Sequence, residues 1–360
     1  MKAVVLAGGE GNRLKPLTYK RPKPLMPVAG RPCIDYVLQA LASSGFHEIV
    51  VTTAYMSDAL IKSIGDGLGY NASILYSFEE NPAGTAGAVR RVGNFFDESF
   101  VVSMGDILCD VDFKALYDFH KRKGAAVTIA LTEVEDPTQY GVVGLDSNGR
   151  IAKFKEKPKK EEAFSNLVNA GIYVLEPEVL EFVPPDQKFD FAKDLFPKLM
   201  SKGLGLYGSR IEGVWMDIGQ PHDLWKASVA IVTRQGKPLR LPGVISEGPV
   251  ILDPTAHVED GVRIGGPSYI GPAVLLKKGS VIDNSCLHEG ARVESNATIE
   301  KSLVLEGSTI GSSAQVVDSV VSRDCVIGEG ARIVSSIIGE GMTVRAGSKL
   351  ENATVSLPPR

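Results

Sequence analysis

Apolar side chains recur at every sixth position over the last third of this chain, and this spacing restricts the fold more than any other feature. The run begins with Leu252, Val258, Ile264, Ile270, Leu276 and Ile282, and it resumes after shifts in register with Val293, Ile299, Leu305, Val321, Ile327, Ile333, Ile338, Val344 and Leu350. A helix would repeat about every 3.6 residues and an amphipathic strand every second residue. The spacing instead predicts hexapeptide repeats that coil into a left-handed parallel β-helix.

The register of this pattern shifts near His288, over residues 310–320 and over residues 334–338. We expect loops or altered coils at these three places. In a β-helix each apolar residue of the repeat points into a narrow prism, so Leu305 is expected to be one of the core residues.

The rest of the chain has a different rhythm, in which short apolar runs alternate with longer amphipathic stretches. Lys2–Ala7 is predicted as the first strand and Pro32–Ser44 as the first helix. Such alternation indicates an α/β fold with a mostly parallel sheet and helices on both faces. We therefore predict one domain at residues 1–232, a linker at 233–244 and the β-helix domain at 245–360.

Composition excludes several classes of protein. A net charge of −4 over 360 residues gives no global attraction to nucleic acid or to an anionic membrane. The four cysteines form no C-x-x-C pair, which indicates reduced thiols and no metal cluster. Apolar runs are too short for a membrane span or a signal peptide, so we expect a cytoplasmic protein without a membrane partner.

The opening stretch "VVLAGGEGNRLKPLT" places glycines directly after the first strand. Gly8, Gly9 and Gly11 would let backbone N–H groups approach an anion that a side chain would keep away. The dinucleotide pattern G-x-G-x-x-G fails because Leu14 stands at the third glycine, and the Gly-Lys pair of the P-loop is absent. From spacing alone, a phosphate loop and a plain tight turn both remain open.

Two cations favour the phosphate loop. Arg13 has a planar fork that suits bidentate phosphate contacts. Lys23 lies between Pro22 and Pro24, which we expect to hold it in a stiff extended segment. Lys157 also precedes a proline and is expected to be extended.

The pattern L-A-G-G-x-G-x-R-L-x-P-L-T, followed by R-P-K-P-L, resembles the nucleotidyltransferases that activate sugar 1-phosphates. Asn12 stands where that family usually has Thr or Ser. The stretches "EENPAGTAGAV", "SMGDILCD", "YGVV", "EKP", "NAGIYV" and "WMDIGQPHDLWKA" follow in the family's order. The "GTAG" form and the hexapeptide tail are most similar to mannose-1-phosphate guanylyltransferases, and glucose-1-phosphate uridylyl- and thymidylyltransferases share most of the motifs.

The resemblance implies a Rossmann-like catalytic sheet and a reaction in which a sugar 1-phosphate and an NTP, GTP favoured, give a nucleotide sugar and pyrophosphate. It implies the catalytic residues Arg13, Lys23, Asp106 and Asp217, with Mg²⁺ held by Asp106 and Asp217. The implied nucleotide-binding residues are Leu6, Ala7, Gly8, Gly9, Gly11, Asn12, Arg13, Gly84 and Thr85. The implied sugar-phosphate-binding residues are Gly141, Glu156, Lys157 and Asn169.

Several alternatives stay open. Each aspartate could instead be an ordinary turn residue, and Glu79 and Glu80 could either bind guanine or form a surface acidic pair. Relatives with a silent regulatory role exist, and some carry an acyltransferase in the β-helix, for which His257 and His288 would be the candidate bases. Because β-helix faces commonly pack subunits, we expect a homo-oligomer.

Overall fold

The computed structural model describes residues 1–185 and 187–357 and divides the chain into two compact units. The first contains Met1–Glu10, Pro22–Leu25 and Cys33–Met216, and the second contains Gly11–Arg21, Met26–Pro32 and the chain from Asp217 onward. These units differ from the predicted bounds, because Gly11–Arg21, Met26–Pro32 and the helix Pro221–Gln235, most of which lies before the predicted bound at residue 232, pack with the β-helix. The predicted linker also contributes a strand, Lys237–Pro238, that pairs with Pro249–Leu252.

A mixed sheet forms the centre of the first unit. Its main path runs in the order Ile151–Glu156, Gly141–Leu145, Leu167–Leu175, Phe100–Met104, Lys2–Leu6, Glu48–Thr53 and Ser73–Phe78, and Val127–Glu133 and Leu206–Arg210 join beside Leu167–Leu175. Strands on both sides of Lys2–Leu6 are parallel to it, whereas Leu167–Leu175 runs antiparallel to its neighbours. The predicted α/β fold with a parallel sheet is confirmed, and the antiparallel part was not foreseen.

Apolar cores cover both faces of this sheet. Val5 packs into one core and Val4 into the other, because successive side chains of a strand point to opposite faces. The helices of the chain are α1 Cys33–Ser43, α2 Ser57–Ile64, α3 Gly84–Arg91, α4 Phe113–Lys123, α5 Phe196–Ser201 and α6 Pro221–Gln235. Helices α1, α2 and α4 cover the Val5 face, and α3 and α5 cover the Val4 face. Burial on both faces explains why the strand reads as a continuous apolar run.

Three parallel ladders form the β-helix of the second unit. The first ladder contains Pro249–Leu252, Ser268–Ile270, Cys286–Leu287, Leu303–Val304, Val320–Val321, Ile337–Ile338 and Thr354–Val355. The second contains Ile245–Ser246, Arg263–Gly265, Val281–Asp283, Thr298–Glu300, Gln315–Val317, Arg332–Val334 and Lys349–Glu351. The third contains His257–Val258, Leu275–Leu276, Arg292–Val293, Thr309–Ile310, Val326–Ile327 and Thr343–Val344. The hairpin Pro27–Val28 and Arg31–Pro32 also belongs to this unit.

The predicted irregular coils are wrong. The ladders pair residues 17 apart, Ile270 with Leu287 and Leu287 with Val304, and this spacing continues to Val355. Each of these coils is one residue short of three hexapeptides, so one corner takes a five-residue step. The residue at this position in the core of the prism is therefore Val304, whereas Leu305 is buried, at 2% exposure, outside that core cluster. The apparent shifts in register arise because this short corner recurs in every coil of 17 residues.

A left-handed residue makes the short corner possible. Asn284, Lys301, Asp318, Ser335 and Asn352 occupy it in successive coils, with φ between 45° and 49°. Asparagine and aspartate tolerate this conformation better than most residues. A left-handed residue bends the chain sharply at the corner, which allows the coil to close with one residue fewer.

Helix α6 lies on the first ladder of the β-helix. Its buried residues include Leu224, Ala227 and Ile231, and Trp225 Nε1 donates to the Asn284 carbonyl at 2.7 Å. No helix within the described ranges has the length and apolar character that a membrane crossing requires.

Candidate active site

A cavity of about 260 Å³ opens in the first unit at the carboxyl ends of the parallel strands, which is where α/β sheets bind their ligands. Of the residues predicted from sequence, Leu6, Gly8, Gly9, Gly84, Thr85 and Asp106 line it. Further lining residues are Thr52, Ala54, Glu79, Pro82, Ala88, Met104 and Asp190. The cavity thus gathers residues from five separate stretches of sequence.

The glycines at the end of the first strand differ in what surrounds them. A Cβ placed on Gly9 would have no neighbour within 4 Å, and one on Gly8 would make ordinary contacts with Ala54. Packing therefore gives no reason for glycine at position 9. Ala7, by contrast, is buried, and its N–H donates to the Thr52 carbonyl as part of the sheet.

Gly84 begins helix α3 under a tight constraint. Its φ is +76°, and a Cβ there would lie 2.7 Å from the Phe189 carbonyl oxygen. The next residue, Thr85, receives two contacts from the same segment: its N–H donates to Asp190 Oδ1 at 3.0 Å, and its Oγ1 accepts from the Phe191 N–H at 2.9 Å. Asp190 therefore shapes this wall of the cavity. No motif in the sequence around Asp190 marked it.

Glu79 and Glu80 have different environments. Glu80 is exposed, whereas Glu79 is only 5% exposed and lines the cavity. Glu79 Oε2 accepts from the Ala83 N–H at 3.0 Å. Glu79 is thus not part of a surface acidic pair.

Lys23 and Asp106 form an ion pair, with Nζ and Oδ2 2.5 Å apart. The Lys23 side chain is 9% exposed and that of Asp106 is 32% exposed. The expectation of an extended Lys23 is wrong, because Lys23–Leu25 forms one turn of 3-10 helix. Proline is tolerated in the first turn of a helix, where its missing N–H would be unpaired anyway, so Pro24 fits this turn.

Arg13 and Asp217 come together in the second unit, where Arg13 Nη2 lies 3.7 Å from Asp217 Oδ2. Gly11 precedes the short 3-10 helix Asn12–Leu14 and adopts φ 67°, a conformation that favours glycine. The Thr18 hydroxyl donates to the Gly11 carbonyl at 2.9 Å and fixes the start of this turn.

Three of the four residues expected to bind the sugar phosphate, Gly141, Glu156 and Lys157, lie at one strand pair of the first unit. Gly141 pairs with Glu156, and a Cβ on Gly141 would press against the Phe154 ring and Glu156 Oε2. Burial raises the pKa of Glu156, while Lys157 and Lys193 offset part of that effect. Lys157 is not extended as expected: its φ is 44°, and its N–H donates to the Tyr140 carbonyl at 2.9 Å.

Asn169 is held by its own strand. Its Oδ1 accepts from the Gly171 N–H at 2.9 Å, and its Nδ2 donates to the Tyr173 hydroxyl at 3.1 Å. Both ends of the amide are therefore oriented before any ligand arrives.

The carboxylates Asp106 and Asp217 have the donor chemistry that Mg²⁺ prefers. Across residues 1–185 and 187–357, no group of three or more His, Cys, Asp or Glu side chains is arranged to hold a metal ion. Mg²⁺ commonly uses only one or two protein carboxylates, with phosphates and water as its other ligands. Both carboxylates are partly exposed and each is paired with a cation, so each has the chemistry of a possible ligand for such an ion.

Comparison with known proteins agrees with this geometry. Residues 2–234 match the family model described as Nucleotidyl transferase, and residues 246–320 and 292–360 match the model described as GMPPB C-terminal domain. A UTP–glucose-1-phosphate uridylyltransferase from Synechocystis sp. is 37% identical over 330 residues, which cover 82% of this chain and 85% of the relative. A mannose-1-phosphate guanylyltransferase from Mycobacterium tuberculosis is 33% identical over 295 residues, covering 81% of each chain.

A third relative, the mannose-1-phosphate guanylyltransferase catalytic subunit beta of Drosophila pseudoobscura pseudoobscura, is 38% identical over 274 residues, covering 73% of this chain and 72% of the relative. Among solved structures, one from Bacillus anthracis, described as a glucose-1-phosphate thymidylyltransferase in complex with a sucrose, superposes with a TM-score of 0.58 at 26% identity. It covers 64% of this chain and 94% of its own.

Proposed function

This chain belongs to the nucleotidyl transferase family and is a sugar-1-phosphate nucleotidyltransferase, and we propose that it joins GTP to mannose 1-phosphate. The observation that carries this choice of substrates is the likeness, over most of the chain, to relatives named mannose-1-phosphate guanylyltransferase. A second candidate, UTP with glucose 1-phosphate, is favoured by the relative from Synechocystis, which covers 82% of the chain.

In the proposed reaction a phosphate oxygen of mannose 1-phosphate forms a bond to the α-phosphorus of GTP. The bond from that phosphorus to the bridging oxygen of the β-phosphate breaks, and pyrophosphate leaves with the electron pair. The nucleophile is already an anion, so no general base is needed. The enzyme must instead position two mutually repelling phosphates and offset their charge.

The cations of the chain are assigned to this task. Lys23, which Asp106 orients, would stabilise charge at the α-phosphate. Arg13 would bind the β- and γ-phosphates and the leaving pyrophosphate. Gly8, Gly9 and Gly11 would present backbone N–H groups to the nucleotide, and Gly84, Thr85 and Glu79 would line the pocket of the base.

The sugar phosphate is assigned to Gly141, Glu156, Lys157 and Asn169. Lys157 would meet the phosphate, while Glu156 and Asn169 would bind sugar hydroxyls. The N–H of Lys157 donates to the carbonyl of Tyr140, which holds this lysine close to Gly141.

Asp106 and Asp217 are the proposed ligands of Mg²⁺. When bound, the ion would offset negative charge on the reacting phosphates. A homo-oligomer assembled through the β-helix and a cytoplasmic location remain predictions of the sequence.

The acyltransferase alternative gains no support from the β-helix. His288 is 2% exposed and packs against Tyr269, so a substrate could not reach it as a base. His257 lies exposed on the third ladder. The silent-subunit alternative is opposed by the presence of Arg13, Lys23, Asp106 and Asp217 together.

The test is pyrophosphate release with Mg²⁺, in which GTP, UTP, dTTP, CTP and ATP are each combined with the 1-phosphates of mannose, glucose and N-acetylglucosamine. We expect the highest kcat/KM with GTP and mannose 1-phosphate. Preference for UTP and glucose 1-phosphate would establish the second candidate instead. Absence of turnover with every pair would favour a silent subunit.

A further inference from the structure

The segment Gly11–Arg21, which carries Asn12 and Arg13, packs with the β-helix. Its last two residues are cations, and both form ion pairs with the β-helix. Arg21 Nη1 donates to Glu306 Oε1 at 2.8 Å, and Lys20 Nζ lies 3.2 Å from Glu340 Oε1. We refer to Gly11–Arg21 below as the anchored segment.

The two carboxylates occupy the same position on different coils. Glu306, Arg323 and Glu340 follow one another at the coil length of 17 residues, so they stack along one corner. Arg323 Nε donates to Glu340 Oε2 at 2.9 Å. Glu340 therefore binds a cation of the anchored segment with one oxygen and a cation of the β-helix with the other.

The Arg21–Glu306 pair is the better enclosed of the two anchors. The side chains of Arg21 and Glu306 are 20% and 29% exposed, whereas that of Lys20 is 68% exposed. Burial works against ionisation of Glu306, yet Arg21 keeps its pKa below the ordinary value. Removal of one partner would leave a poorly solvated charge, which makes such a pair a specific anchor.

The anchored segment is stiff enough to connect Arg21 with Arg13. Leu14 and Thr18 are fully buried, and the Thr18 hydroxyl spans back to the Gly11 carbonyl. Asp217, the partner of Arg13, is held by the β-helix as well. It lies shortly before helix α6, and Trp225 of that helix donates to the Asn284 carbonyl of the β-helix. The β-helix thus holds both members of the Arg13–Asp217 pair.

From these contacts we infer that Glu306 is a positioning residue for nucleotidyl transfer, acting through Arg21 on the placement of Arg13. Glu340 supports it one step further along the same corner. The effect on catalysis rests on the proposed function, in which Arg13 binds the triphosphate. The β-helix then contributes to nucleotide binding indirectly, through the placement of Arg13.

The test compares Glu306→Gln with Glu294→Gln. Glu294 is a matched control, because it pairs with Lys277 at 2.6 Å in the same β-helix, with a side chain 28% exposed. We expect Glu306→Gln to raise KM for the nucleotide about tenfold, the loss of about one well-placed charged contact. KM for the sugar phosphate should stay within about twofold, and Glu294→Gln should match the wild type. Equal nucleotide KM in both variants would overturn the inference.

Hydrogen exchange of the peptide that covers residues 11–21 gives a readout that needs no turnover. Faster exchange in Glu306→Gln, with unchanged exchange in Glu294→Gln, is the expected result, and no difference between them would overturn the anchoring. Glu340→Gln serves in both measurements if Glu306→Gln does not fold. If the wild type shows no turnover with any substrate pair, the proposed function fails, and the exchange experiment still decides whether Glu306 holds the segment.

Discussion

Gly9 and Gly84 both line the cavity, but the structure gives a packing reason for glycine only at position 84. Gly9 has open space where a Cβ would stand, and its φ is not in the left-handed region. Gly84 is left-handed, with the Phe189 backbone against it. Alanine at position 9 should therefore change nucleotide binding and leave stability unchanged, whereas alanine at position 84 should lower the stability of the fold.

We predict that Gly9→Ala leaves the melting temperature unchanged and raises KM for the nucleotide about tenfold, a loss of about 1.4 kcal/mol of binding. Gly84→Ala should lower the free energy of unfolding by about 1–3 kcal/mol, because alanine strains the left-handed backbone. Thermal melts and steady-state kinetics of both variants measure this. A destabilised Gly9→Ala variant with normal nucleotide KM would contradict the ligand-based reason for Gly9.

The place of a residue in the site was predictable where the residue belongs to a local motif. It was not predictable where the residue depends on a contact with a part of the chain that is remote in sequence. Gly8, Gly9 and Asp106 follow strand ends, and topology brings strand ends together. Asp190 reaches Thr85 across 105 positions of sequence, and no local pattern records that contact. The conformation of Lys23 was mispredicted for a related reason, since a proline after it restricts the backbone without deciding between an extended segment and a 3-10 turn.

The short corner of the β-helix is held by a column of serines. Ser285, Ser302, Ser319 and Ser336 are buried there, one per coil. Ser302 Oγ donates to the Glu300 carbonyl at 2.6 Å and accepts from the Ser319 N–H at 3.0 Å. The same contacts repeat along the column, so each serine satisfies the buried backbone N–H of the next coil.

Ser302→Ala should lower the free energy of unfolding by about 1–3 kcal/mol, because the Ser319 N–H loses its partner in a buried corner. Ser295→Ala is the control, since Ser295 is only half buried and lies outside the column. Denaturant unfolding of the two variants gives the comparison. Equal stability would show that the serines do not hold the corner.

The β-helix itself was predictable because its core residues repeat in sequence. The regular coil of 17 residues was not predicted, because a spacing of six between apolar residues was expected throughout. Each five-residue step at the short corner was therefore interpreted as a loop or an altered coil. The serines carried the missing signal: Ser268, Ser285, Ser302, Ser319 and Ser336 are 17 positions apart. A polar repeat with the period of the whole coil defines the corner better than the apolar repeat within it.

Stability of the whole molecule should depend on pH through its buried histidines. Burial lowers the pKa of His288 to about 4, with Glu306 opposing and Arg21 reinforcing the shift. An ordinary histidine has a pKa near 6.5. Between about pH 4 and pH 6.5, this histidine is therefore protonated in the unfolded chain and neutral in the folded chain. Stability is therefore full above about pH 6.5 and declines toward about pH 4, by on the order of 3 kcal/mol for this group. His120 and His222 shift in the same direction.

We predict that His288→Asn loses less melting temperature than the wild type on going from about pH 7.5 to about pH 5. His257→Asn, at an exposed position, should keep the wild-type dependence. Thermal melts across this pH range measure both. An identical slope in all three proteins would show that His288 does not contribute.

The division into compact units could not be read from the order of motifs. Arg21 and Glu306 are 285 positions apart, and Lys20 and Glu340 are 320 apart. Nothing in the glycine-rich opening indicates that its second half packs with the C-terminal repeats. Composition and periodicity describe each element, whereas these ion pairs depend on the three-dimensional position of side chains that are remote in sequence.

The most direct test of the account is the rate of pyrophosphate release by Asp106→Asn beside Asp118→Asn. Asp118 is the matched control, because it also pairs with a lysine at 2.5 Å, Lys114, but lies on the exposed face of helix α4. We predict that kcat falls at least about a hundredfold in Asp106→Asn, as expected for loss of a charged group beside the reacting phosphates, and stays within about twofold in Asp118→Asn. Wild-type turnover in a folded Asp106→Asn variant would contradict the assignment of the cavity as the site of nucleotidyl transfer.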